Sequence, residues 1–89
     1  MTGEVSDSGN RDLGVQPLDA ILREMGLENR DLVLASTEQL THKQVQKARK
    51  GRRVSSNIQG KIRRALERVV AGRGEERSFA LSELFNYHG

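Results

Sequence analysis

From position 42 to position 53 the chain reads His-Lys-Gln-Val-Gln-Lys-Ala-Arg-Lys-Gly-Arg-Arg. The polar groups in this run donate hydrogen bonds and carry positive charge; none is a nucleophile paired with a base. An ammonium group such as that of Lys43 or Lys47 can donate to guanine O6 and N7. The amide of Gln44 or Gln46 can make the paired contact to adenine N6 and N7. Cations that follow such a stretch, here Lys50, Arg52 and Arg53, suit phosphate oxygens, which supply affinity and register without reading sequence. Enzymatic chemistry finds no counterpart. The chain has no cysteine and two histidines, His42 and His88, so thiolate metal sites, disulfides and cysteine nucleophiles are excluded. No triad, carboxylate dyad or phosphate loop can be assembled from the remaining residues. The expectation is therefore no enzyme, no metal, no cofactor and no evident small-molecule substrate.

The charge distribution singles out the same region. Residues 41–74 hold eleven bases against the single acid Glu67, a net charge of +10, whereas residues 1–40 hold eight acids and three bases. With three acids and one base over residues 75–89, the chain as a whole is only +3. A positive window flanked by acidic segments has the charge density of a polyanion-binding surface, and duplex nucleic acid is the first partner it implies. With 89 residues, 35% of them hydrophobic, there is material for one small domain. No stretch approaches the roughly twenty apolar residues of a membrane span, and the start lacks the basic and apolar regions of a signal peptide. The expectation is a cytoplasmic protein with no membrane partner.

Helices must position these groups. Residues 1–16 show no helical or strand period and read as a flexible, disordered tail. Pro17 pre-sets a first turn, and Leu18, Ile21, Leu22 and Met25 recur at helical spacing up to Gly26. Asn29 can cap a second, mostly buried helix containing Leu32, Val33, Leu34 and Ala35. Thr41 and Gln44 stand at capping-box spacing, so a third helix starts at Thr41 and Gly51 ends it. Its only apolar positions, Val45 and Ala48, define one narrow packed edge, which turns His42, Lys43, Gln46 and Lys47 outward and leaves Gln44 at the border. Ser55 or Ser56 starts a fourth helix, with Ser56 and Gln59 at capping-box spacing and Ile58, Ile62, Ala65, Leu66, Val69 and Val70 as its inner stripe. The last stretch carries every aromatic residue, Phe79, Phe85 and Tyr87, with Leu81 and Leu84. It reads as a short helix that docks on the core or forms a homodimer contact. The fold class is all-α: a compact four- to five-helix domain over residues 17–74, a tail over 1–16 and an aromatic segment over 75–89. A short link between the second and third helices and a basic third helix describe a helix-turn-helix unit.

Spacing within that unit resembles the lambda-repressor/Cro-like (XRE-type) family of DNA-binding domains over roughly residues 18–70. Leu34-Ala35 stands where the family packs its second helix against the turn, Leu40 where an apolar residue plugs the turn, and Thr41 where the recognition helix is capped. Val45 and Gly51 fall where the family anchors and ends that helix. The resemblance implies duplex DNA as partner and a small transcriptional regulator as function. It places base reading on His42, Lys43, Gln44, Gln46 and Lys47 within about residues 41–50, and phosphate contact on Arg30, Thr41, Lys50, Arg52 and Arg53. Paired half-sites in the family imply a homodimer, for which Phe79, Leu81, Leu84, Phe85 and Tyr87 are the candidate surface. Three positions depart from the pattern. Gln39 stands where glycine is usual and must turn left-handed or build the turn differently, Asp31 replaces a phosphate-binding glutamine, and Arg49 replaces a frequent acid, adding a cation. The rival expectation is a protein-interaction or antitoxin-like module on the same scaffold without specific DNA reading; structured RNA is a third partner class.

Overall fold

Pro17 occupies the first position of α1 (Pro17–Glu24), where its missing N–H costs nothing, and Asp19 lies in the first turn. The structure, a computed structural model, describes residues 13–87. α1 is followed by α2 (Asn29–Ala35), α3 (His42–Lys50), α4 (Ser56–Gly72) and the single turn α5 (Leu81–Leu84). Among the described residues there is no strand, and no helix is long and apolar enough to cross a membrane. The chain is all-α, as its periodicity predicts.

One core joins all five helices. Leu18 and Leu22 of α1, Leu32 of α2, Val45 and Ala48 of α3, and Ile62, Leu66 and Val70 of α4 are fully buried. Each large aliphatic side chain taken wholly out of water contributes about 1.5–3 kcal/mol. The aromatic segment closes this core from the open side. Phe79, Leu84 and Phe85 are buried within the chain, and Leu81 and Tyr87 pack half-buried against them. Of the two expectations for the segment, docking on the core is the one realised. Phe79, Leu84 and Phe85, already buried in their own domain, have no apolar area left for a second copy, whereas Leu81 and Tyr87 stay half-exposed.

Several local expectations need correction. Residues 1–12 of the expected tail lie outside the described residues, but Leu13 and Gln16 are tied to the domain while Val15 stays 68% exposed. The amides of Leu13 and Gln16 donate to the carbonyls of Gly51 and Arg49 at the end of α3, at 2.9 and 3.1 Å. Gln16 is completely buried, its Oε1 accepting from the Asn86 amide at 2.8 Å and its Nε2 donating to the Gly14 carbonyl at 2.9 Å. A polar residue thus holds the segment by hydrogen bonds, which hydrophobic periodicity cannot register. Glu28, not Asn29, precedes α2, and its amide donates to the Asp31 carboxylate at 2.7 Å. The apolar run of α2 is not mostly buried. Leu34 is 78% exposed, because a helix of two turns shows the core a single edge, which Leu32 takes. Ser55 caps α4 by accepting from the Ile58 amide at 3.2 Å. Gln59 turns into the core, 2% exposed, and does not reach back to Ser56.

Candidate nucleic-acid interface

Thr41 and Gln44 set the start of α3. The Gln44 amide donates to Thr41 Oγ1 at 3.1 Å while the Thr41 amide donates to Gln44 Oε1, also at 3.1 Å. Such a cap stabilises a helix by roughly 1 kcal/mol. It also turns the oxygen of Gln44 back to the Thr41 amide, so the paired adenine contact that its type alone allows competes with the cap. The end of the helix is fixed as firmly. Gly51 is left-handed at φ 98°, and a Cβ built there would overlap the Gly14 carbonyl oxygen. Only glycine satisfies both conditions.

Between the caps, Val45 and Ala48 are fully buried while His42, Lys43, Gln46, Lys47 and Lys50 are exposed and Gln44 is half-buried. The helical phase read from two apolar residues is the phase of the structure. α3 shows one edge to α1, α2 and α4, and its remaining faces stand clear of the domain. The link from α2 is held at three points. Ser36 Oγ accepts from the Glu38 amide at 3.0 Å, Leu40 is buried, and Glu38 receives both Nε and a terminal nitrogen of Arg64 on α4 at 2.6 and 2.7 Å. This two-pronged geometry is the strong form of an arginine–carboxylate pair. Hydrogen bonding from Arg64 holds the Glu38 carboxyl below its ordinary value, and the charges of Arg64, Lys61 and Arg68 add to that against partial burial. Gln39 takes the left-handed conformation at φ 61°, the costlier of its two options for a side-chain-bearing residue.

Arg49 does not add a cation to the exposed face. It is 15% exposed and its Nε donates to Asp19 Oδ1 on α1 at 2.7 Å, so the positive charge is neutralised inside the α1–α3 contact. Burial pushes the Asp19 carboxyl up, but hydrogen bonds and charge from Arg49, and then from Arg23, hold it below its usual value. Asn29 joins this cluster, accepting from Arg49 at 2.8 Å and donating to Gln46 at 2.8 Å. Asp31, near the expected DNA backbone by type, has its carboxylate on the first turn of α2, where it satisfies a helix amide.

The segment after α3 is braced by both ends of the described chain. Tyr87 Oη accepts from the Val54 amide at 2.9 Å and donates to the Arg52 carbonyl at 3.3 Å, and the Arg53 guanidinium lies over its ring at 5.1 Å. Phe85 meets the same ring edge-on at 5.9 Å. Arg52 and Arg53 therefore project from a fixed backbone. Among the described residues, Arg30, Lys43, Lys47, Lys50 and Arg52 have no carboxylate within ion-pair distance, in contrast to Arg49, Arg63 and Arg64. The structure thus brings four of the expected base-reading groups, His42, Lys43, Gln46 and Lys47, onto one exposed helix, with Gln44 diverted to the cap. Thr41 lies at the cap of that helix, Lys50 at its last position and Arg52 and Arg53 just beyond it, and Arg30 is exposed on the first turn of α2.

The roles of Asn29, Asp19, Arg49 and Tyr87 in holding this site are what sequence reading misses. Asp19 and Arg49 are thirty positions apart and Tyr87 is thirty-three from Val54, so no local pattern links them. Among the described residues no cluster of histidine and acidic side chains could hold a metal. Comparison with family models, curated proteins and solved structures finds no match for the chain.

Proposed function

We propose that the chain is a lambda-repressor/Cro-like helix-turn-helix protein that binds duplex DNA by laying α3 in the major groove, and that it is a small cytoplasmic transcriptional regulator without catalytic activity. The observation that carries this reading is the face of α3: Lys43, Lys47 and Lys50 stand exposed and, among the described residues, without acid partners on a helix whose only buried side chains are those of Val45 and Ala48. A helix packed along one edge can enter a groove about 12 Å wide, and the braced Arg52 and Arg53 flank it for the phosphates. Titration of a duplex pool at several salt concentrations tests the proposal, since counterion release makes log affinity fall linearly with log salt. Lys47→Ala is expected to change base preference. Arg53→Ala is expected to weaken all sequences alike and to lower the salt slope by about one. Binding indifferent to salt, or equal competition by duplex RNA, would sink the reading.

One observation favours the interaction-module alternative. Leu34, exposed beside Ala35, Arg68 and Ala71, offers an apolar spot away from α3, whereas Phe79 and Phe85 are buried. Recovery of a stoichiometric protein partner that Leu34→Lys abolishes, with no DNA retained, would favour that account.

A further inference from the structure

The amide of Gln46 reaches the exposed face of α3 with its orientation already decided. An amide can point its oxygen or its NH2 group either way, and the two look alike unless their partners distinguish them. Here the partners do. Asp19, as a carboxylate, only accepts, and Arg49 only donates. Arg49 gives Nε to Asp19 at 2.7 Å and a terminal N–H to Asn29 Oδ1 at 2.8 Å. Asp19 is held from its other side by Arg23 Nε at 2.8 Å. Since a guanidinium cannot accept, the oxygen of Asn29 must face Arg49, and its NH2 group then faces Gln46. Asn29 Nδ2 donates to Gln46 Oε1 at 2.8 Å. Turning either amide around would set donor against donor. The Oε1 of Gln46 consequently faces α2 with one of its two acceptor positions filled, and Nε2 is the end without a partner among the described residues.

We infer that this relay from Asp19 through Arg49 and Asn29 makes Gln46 a specificity-determining donor, resting on the DNA-binding reading above. An unrestrained glutamine favours adenine, because it can give Nε2 to N7 and receive N6 on Oε1 together. With Oε1 turned to α2 and already accepting from Asn29, only its second lone pair remains, and its half of that paired contact is weakened. The remaining NH2 group matches edges rich in acceptors, guanine N7 and O6 or thymine O4, and meets the N4 amino group of cytosine donor to donor. Asn29 and Arg49 touch no base. They are positioning residues that set which base Gln46 reads.

Asn29→Asp tests this with almost no change of shape. The new carboxylate still accepts from Arg49, but its second oxygen now demands a donor, so the Gln46 amide must turn and present Oε1 outward. Binding-site selection with the full chain is expected to enrich guanine or thymine at one half-site position for the unchanged protein, and adenine or cytosine there for Asn29→Asp. Gln46→Ala, which should lose preference at that position alone, identifies it. The shift in relative base preference is expected to be about tenfold. Side-chain amide resonances supply a readout without DNA: in Asn29→Asp the Gln46 Nε2 protons should move downfield and exchange more slowly as they become hydrogen-bonded. Identical preference at the Gln46 position in both proteins, or unmoved Gln46 side-chain resonances, would overturn the relay. Failure of the unchanged protein to enrich any motif overturns the DNA reading and the base preference with it, an outcome distinct from an enriched motif that ignores Asn29.

Discussion

Gln39 stores strain in the turn that aims α3, and relieving it should stabilise the domain. Its φ of 61° lies in the left-handed region, where a side chain crowds the following carbonyl at a cost of about 1–2 kcal/mol. The side chain is exposed, and no hydrogen bond to it is found among the described residues, so replacing it forfeits no contact. Glycine removes the clash but widens the unfolded ensemble, returning about 0.4–1 kcal/mol. The difference leaves Gln39→Gly more stable by roughly 0.5–1 kcal/mol. For a domain of this size, that corresponds to a rise in melting temperature of roughly 3–6 °C. Thermal unfolding followed by far-UV circular dichroism, with urea unfolding as a second measure, can resolve this. Gln39→Ala serves as the control: it keeps the Cβ and should bring no gain. A Gln39→Gly protein no more stable than its parent and indistinguishable from Gln39→Ala would mean that position 39 is not left-handed and that the turn is built differently.

Other substitutions probe separate parts of the account. Gly51→Ala must place a methyl group against the Gly14 carbonyl in a left-handed backbone. It should cost about 2 kcal/mol or more, with hydrogen-exchange protection lost first at the Leu13 amide, which donates to Gly51. On α2, Leu32→Ala should cost about 2–5 kcal/mol as a buried truncation, whereas Leu34→Lys should stay within about 0.5 kcal/mol; equal costs by chemical denaturation would contradict the helical phase. Acid should unfold the protein through Asp19 and Glu38. Both carboxyls lie below their ordinary values of 3.8 and 4.5 when folded, so their contribution is complete above those values and is lost as pH falls through the lower folded ones. Asp19→Asn should flatten that acid limb while leaving the Glu38 part, which a pH series of urea midpoints would show.

What could be read from the sequence was what one helix turn or one cap encodes. Val45 and Ala48 are the only apolar residues of α3, so they fix its phase and hence which cations face outward. Thr41 and Gln44 announced the cap, but the same letters hid its consequence: a glutamine that closes a capping box has its oxygen engaged. Leu34 was misread because an apolar run of four looks buried as a whole, while a short helix resting on α4 conceals only the side chain on its inner edge. Arg49 was read as one more cation because its acid, Asp19, lies thirty positions upstream. Gln16 and Tyr87 act through backbone groups at the end of α3, and hydrogen bonds to backbone leave no trace in hydrophobic patterning. The candidate contact residues were therefore legible in type and direction, and the network that orients Gln46 was not, since each of its members is an ordinary polar residue until the helices meet.

The central claim is that α3 and its flanks meet duplex DNA, and the most direct test is backbone amide mapping of the labelled protein during titration with a short duplex. The account predicts shifts concentrated over residues 41–54 and at Arg30, reduced by added salt, with little change around Leu34 and Ala71 or along α5. Shifts centred on Leu34, or an absence of change over residues 41–54 at low salt, would contradict it.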